Sequence, residues 1–362
     1  MIEHILMFIL GLVALTIGAE LMVRGAARLA LTFGISPLVV GLTIVAFGTS
    51  APEMAVSAGA ALSGSGDLAI GNVVGSNIAN VLLILGLSAL IVPLAVNQQI
   101  IRQEIPIMIG ASLLFVVLAM DGSISRGEGL LLFALIIVYS AFLVIQSRHA
   151  SKTLQDEFAE EMPDTASRWD AHWSVQALLV IGGLVLLVVG ADWLVDAAVA
   201  VARVFGVSDL VIGLTVVAVG TSMPEIATSL VAAFRGQRDI AIGNVVGSNI
   251  FNIFACLGFA SIIADGGIAV SAAARNFDLW VMLAVAFACL PIVITGREIA
   301  RWEGGVFIAY YAAYTAYLVL AATQHDSLPT FSGVMLSYVL PLTVITLIVS
   351  LVHGHGKPPA NS

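Results

Sequence analysis

Residues Gly41 to Gly86 and Gly213 to Gly258 align without a gap at an offset of 172, with 29 of 46 positions identical. The fold must therefore supply two equivalent environments. Each copy is an apolar run that carries one glutamate: Glu53 in Gly48-Thr49-Ser50-Ala51-Pro52-Glu53, and Glu225 in Gly220-Thr221-Ser222-Met223-Pro224-Glu225. A charge at membrane depth costs at least ~3 kcal/mol, so an intramembrane carboxylate points to function.

The membrane setting follows from composition. Hydrophobic residues make up 60% of the chain and charged residues 10%, and the mean hydropathy is +1.06, outside the balance of soluble domains. A helical span needs about 20 apolar residues. The apolar runs predict helices near 5–31, 38–62, 68–93, 105–120, 128–147, 173–202, 210–233, 240–264, 277–295, 304–322 and 332–352. The first is expected to be a structural span rather than a cleaved leader, because Glu3 and His4 replace the basic flank of a signal peptide. In addition, Gly18-Ala19-Glu20 reappears as Gly190-Ala191-Asp192 in the sixth span.

Basic residues accumulate on the cytoplasmic side of short loops. With the N-terminus outside, eleven Lys and Arg residues fall inside and only Arg126, Arg203 and Arg275 outside, so an N-out, C-in topology is expected. The copies are five spans apart, an odd number, which turns the second upside down relative to the first. The loop Ser63-Gly64-Ser65-Gly66 has the basic counterpart Arg235-Gly236-Gln237-Arg238, as opposite sidedness requires. Ile124-Ser125-Arg126-Gly127-Glu128-Gly129 is echoed by Ile299-Ala300-Arg301-Trp302-Glu303-Gly304. The expected fold is an all-α integral membrane protein of two inverted five-helix repeats plus one extra C-terminal helix. Residues 1–147 form the first repeat, 148–172 an acidic cytoplasmic linker, 173–323 the second repeat, and 324–362 the appended span and tail.

Inverted repeats around a midplane site are the architecture of secondary transporters. Thr49, Ser50 and Glu53 stand at helical positions i−4, i−3 and i and share one face. Pro52 removes a backbone donor and predicts a kink that frees the Gly48 carbonyl. Asn72, Ser76 and Asn80 form a second polar stripe, and the other copy supplies Thr221, Ser222, Glu225, Asn244, Ser248 and Asn252. This inventory is oxygen throughout, which suits hard cations such as Na⁺ and Ca²⁺. The six histidines lie in predicted loops or termini, and Cys256 and Cys289 lie in apolar runs as core thiols.

These paired motifs resemble the alpha repeats of the cation/calcium exchanger superfamily, in particular its prokaryotic sodium/calcium exchanger branch, over roughly residues 5 to 322. The resemblance implies that Thr49, Ser50, Glu53, Ser76 and Asn80 from one half, with Thr221, Ser222, Glu225 and Ser248 from the other, coordinate Na⁺ and Ca²⁺, joined by the backbone carbonyls of Ala46 and Ala218. Asn252 counts with this set; some exchangers carry aspartate there, potassium-dependent members among them. The resemblance also implies alternating access, with the first and sixth spans sliding across a compact core on smooth faces made by Gly11, Gly18, Gly25, Gly182, Gly183 and Gly190.

The expectation is a plasma-membrane (inner-membrane) antiporter that exchanges Na⁺ for Ca²⁺ and exports Ca²⁺. An exchanger for protons using the same two glutamates is the alternative. No cofactor is expected beyond the transported Na⁺ and Ca²⁺. The expected partners are those cations and the lipid bilayer, with no nucleic acid and no obligate protein partner. An intramembrane enzyme using Ser50 or Ser222 would lack a histidine or lysine base within any span. Among the remaining polar residues, Asn77 and Asn249 read as capping or interhelix hydrogen-bonding groups. Glu20, Asp192 and Asp196 read as residues near an interface or a permeation mouth.

Overall fold

A computed structural model describes residues 2–149, 172–205, 212, 216 and 218–354. The linker acids Asp156, Glu157, Glu160, Glu161 and Asp164 lie outside the described residues. The chain is a bundle of long apolar helices: α1 (Ile2–Phe33), α2 (Pro37–Thr49), α3 (Ala51–Leu62), α4 (Gly66–Ile91), α5 (Ile100–Asp121), α6 (Arg126–Ser147), α7 (Trp173–Val204), α8 (Met223–Phe234), α9 (Arg238–Ile263), α10 (Ala274–Gly296), α11 (Arg301–Ala322) and α12 (Leu328–Val349). Among the described residues nine of these can each cross a membrane, and α2 with α3 makes a tenth, bent by 44°.

The predicted second span is thus one broken helix, and the break falls at Ser50, two residues before the proline. Pro52 occupies the first turn of α3, where a missing backbone donor has no partner to lose. The predicted span 210–233 is described as the turn Ala218–Gly220 followed by the twelve-residue α8; most of its first half lies outside the described residues. Ser222 takes nearly the same backbone angles as Ser50, φ −86° and ψ 7° against φ −80° and ψ 4°.

The predicted fourth span starts too late. Helix α5 begins at Ile100 rather than at 105, because the π-helical turn Ile100–Glu104 carries the helix backwards past Pro106. Glu104, the residue before the predicted start of the span, is therefore fully buried. It accepts from Gln99 and Gln103 on Oε1 (2.9 and 2.7 Å) and from Tyr139 on Oε2 (2.7 Å). The other half repeats the motif, where Tyr314 donates to Asp278 Oδ1 at 3.0 Å.

Helices α4 and α9 are the most buried spans and form the centre. Each contains a π-helical turn that starts at an asparagine of interest, Asn80–Leu85 and Asn252–Leu257; such turns often mark functional sites. Helices α1 and α7 pack antiparallel, backbone to backbone. A Cβ at Gly18 would meet Gly183 O at 2.8 Å, one at Gly11 would meet Gly190 O at 2.8 Å, and one at Gly25 would meet Gln176 O at 2.8 Å. Gly182, expected on the same face, meets nothing within 4 Å among the described residues and does not belong to this contact.

Two short antiparallel ladders tie the halves together. β1 (Leu94–Ala95) pairs with β4 (Glu298–Ile299), and β2 (Ser123–Ile124) pairs with β3 (Ile268–Ala269). Each strand chooses the other half. The appended α12 lies at the periphery, packed on α10, with a Tyr310–Thr343 hydrogen bond to α11 and none of its apolar stretch buried.

Candidate functional site

The helix breaks at Ser50 and Ser222 place the first turns of α3 and α8 against the centres of α4 and α9. Thr49, Ser50, Glu53, Ser76, Asn80, Ser222, Glu225, Ser248 and Asn252 are all buried, and Thr221 is partly buried. The hydrogen bonds among them cross between the halves in matched pairs. Ser222 donates to Glu53 Oε1 at 3.1 Å, and Ser50 donates to Glu225 Oε1 at 3.3 Å. Ser76 adds a 3.5 Å contact to Glu53 Oε1 and lies 3.2 Å from Ser222. Thr49 lies 3.5 Å from Ser248.

A second ring of amides holds this inner set. Asn80 donates to Asn249 Oδ1 at 3.0 Å, and Asn252 donates to Asn77 Oδ1 at 3.1 Å. Asn77 and Asn249 thus make the interhelix bonds that their place beside the polar stripe suggests. Asn72 donates to the Glu53 carbonyl at 3.0 Å and to Ser57 at 2.9 Å, while Asn244 donates to the Glu225 carbonyl at 3.4 Å and to Ser229 at 2.9 Å. Ser57 and Ser229 escaped the sequence reading. Their identity in both copies was the signal that could have found them.

The backbone candidates differ in what the structure says of them. Ala46 O accepts from the Ser50 amide at 3.0 Å and faces the Thr49 hydroxyl at 3.4 Å. Ala218 begins the turn ahead of Ser222. Cys256 breaks the symmetry: its buried thiol sits 3.7 Å from Ser50 O and 3.6 Å from Asn252 Oδ1, where the first half carries Ile84.

Chemically, the cluster presents unspent acceptors. Among the described residues Glu53 Oε2, Glu225 Oε2 and Asn80 Oδ1 are buried and accept no hydrogen bond. A buried polar atom without a partner costs about 1–3 kcal/mol, and carboxylate oxygens in this condition fit a hard cation.

The model of the sodium/calcium exchanger protein family matches residues 3–145 and 175–320. This chain belongs to that family. It is thereby a transporter rather than an enzyme. It is 41% identical over 319 residues to the putative antiporter CaxA of Alkalimonas amylolytica, covering 87% of this chain and 98% of that one. It is 34% identical over 345 residues to the sodium/calcium exchanger MaX1 of Methanosarcina acetivorans, covering 87% and 98%. The inner membrane protein YrbG of Escherichia coli K12 is 38% identical over 284 residues, covering 78% and 87%. Among solved structures, the sodium-calcium exchanger NCX_Mj soaked with Na⁺ and Ca²⁺ superposes with a TM-score of 0.74 at 32% identity, covering 87% of this exchanger and 98% of that chain.

Outside the site, α1 leans on α8 through a two-pronged ion pair, Arg235 to Glu20, at 2.5 and 3.0 Å. The counterparts at an offset of 172 are Asp192 and Ser63, so this ion pair has no mirror image.

Proposed function

We propose that this exchanger carries Na⁺ and Ca²⁺ in opposite directions through one site shared by its two inverted halves. The observation that carries the reading is the pair of buried glutamates, each bonded on Oε1 by the other half's serine and each with Oε2 unpartnered among the described residues. A bound cation would satisfy both orphan oxygens. Thr49, Ser50, Glu53, Ser76, Asn80, Thr221, Ser222, Glu225, Ser248 and Asn252 would supply side-chain oxygens, with the carbonyls of Ala46 and Ala218. Two carboxylates balance one Ca²⁺, or are neutralised by Na⁺ in its place, so the ions compete and exchange follows.

Alternating access would come from α1 and α7 moving as one body. Their backbone-to-backbone glycine contact favours joint motion over sliding between the two, and the Glu20–Arg235 ion pair on one side only would close that side. With basic residues inside, the N-terminus lies outside, the C-terminus in the cytoplasm, and the Arg235 loop on the cytoplasmic side of the inner membrane. An inside-negative potential contributes about 2.3 kcal/mol per charge per 100 mV, so an exchange importing net positive charge drives Ca²⁺ export.

Glu53→Gln and Glu225→Gln test the reading. Each is expected to remove Na⁺-dependent Ca²⁺ flux while the purified protein stays monodisperse; a Gln variant at either position that still exchanges Ca²⁺ contradicts it.

A further inference from the structure

We propose that Asn72 and Asn244 are positioning residues, each drawing the hydroxyl proton of the opposite half's threonine away from the site, so that the threonine oxygen turns its lone pairs to the transported cation. This rests on the reading of Thr49 and Thr221 as ligands.

The amide orientation is fixed by chemistry. Asn72 Nδ2 faces the Glu53 backbone carbonyl at 3.0 Å, a group that can only accept, so the other end of the amide is Oδ1. That Oδ1 lies 3.4 Å from the Thr221 hydroxyl and can only accept from it. Asn244 repeats the arrangement in the other half, with Nδ2 on the Glu225 carbonyl and Oδ1 receiving the Thr49 proton at 3.0 Å. Thr49 also faces the Ala46 carbonyl at 3.4 Å and Ser248 Oγ at 3.5 Å, both longer than its 3.0 Å bond to Asn244. Without the asparagines, neither threonine proton is held in this direction, and the lone pairs lose their fixed aim at the ion.

One side chain therefore performs two tasks. Its amide nitrogen ties the first turn of α3 or α8 to the central helix, next to the glutamate. Its amide oxygen sets the threonine that arrives from the opposite half. The glutamate of one repeat and the threonine of the other are held on the same group.

The test is a double-mutant cycle in proteoliposomes, with Ca²⁺ uptake driven by internal Na⁺ as the readout. Asn72→Leu is expected to raise the half-saturating concentration of at least one transported cation by about tenfold, with a smaller change in maximal rate. Thr221→Val is expected to do the same. In the Thr221→Val background Asn72→Leu should cost clearly less than it does in the unmodified protein, because the part that acts through that hydroxyl is already gone and only the tie to the Glu53 carbonyl remains to be lost. Asn244→Leu with Thr49→Val forms an independent second cycle should the first variant fail to fold. Additive losses in both cycles, or Asn72→Leu and Asn244→Leu without effect on half-saturation, overturn the proposal and leave the ligand reading standing. Thr221→Val and Thr49→Val with unchanged half-saturation overturn both.

Discussion

Ser222 donates to Glu53 Oε1 from the opposite half of the chain at 3.1 Å, and its counterpart Ser50 returns the bond to Glu225. Neither glutamate is held by its own repeat alone. The crossing follows from the helix breaks, which set each short helix against the central helix of the opposite half. Removing the Ser50 hydroxyl deletes its bond to Glu225, and removing the Ser222 hydroxyl deletes its contacts to Glu53 and Ser76; each hydrogen bond is worth about 0.5–1.5 kcal/mol, and each change also takes one proposed ligand oxygen from the site. Ser50→Ala and Ser222→Ala should each raise half-saturating Ca²⁺ by up to about tenfold, measured by concentration-dependent uptake, without the complete loss expected of the Glu→Gln variants.

The glycine contact between α1 and α7 sets a steric limit. A Cβ at Gly183 would stand 2.6 Å from Gly18 O and 2.7 Å from the Met22 amide, both of them backbone that cannot swing aside. Gly183→Ala should destabilise the protein by about 1–3 kcal/mol, read as a lower thermal midpoint in detergent. Gly182→Ala, with nothing within 4 Å, should leave that midpoint where it is.

The buried Glu104 depends on its three donors. Tyr139→Phe removes the only bond to Oε2 among the described residues and leaves that oxygen unpartnered in the bundle, a loss of about 1–3 kcal/mol. Thermal unfolding should register it, while half-saturating Ca²⁺ should not change, since this pair lies outside the crossed bonds of the candidate site.

The unmirrored ion pair predicts a charge-swap result. Exposed pairs contribute about 0–1 kcal/mol, too little to hold the fold but enough to bias two states separated by a small gap. Glu20→Arg should slow Na⁺-driven Ca²⁺ uptake several-fold through repulsion of Arg235, and adding Arg235→Glu should restore most of the rate. A Glu20→Arg protein with unchanged uptake would remove the ion pair from the account.

The sequence made the repeated motifs plain, because Thr-Ser-x-Pro-Glu and the asparagine-serine stripe occur twice in apolar surroundings. It placed Glu53 and Glu225 in matching settings and anticipated a bend near Pro52. It could not show that Ser50 bonds Glu225 rather than Glu53, since that depends on how two inverted helices meet in space. Glu104 was missed because the π-helical turn before Pro106 has no apolar-run signature. A check of the 174–175 offset, which relates Glu104 to Asp278 and Tyr139 to Tyr314, would have exposed it. Gly182 and Gly183 look alike in sequence, and only the packing of α1 shows which one faces the contact.

In the proposed exchange, Na⁺ drives Ca²⁺ through the shared site. Radioactive Ca²⁺ uptake into proteoliposomes preloaded with Na⁺ and diluted into Na⁺-free buffer tests it directly, beside vesicles loaded with K⁺ or given only a pH gradient. Uptake that requires internal Na⁺ is the predicted result. Uptake that follows the pH gradient and ignores Na⁺ would contradict it and make the same two glutamates proton carriers.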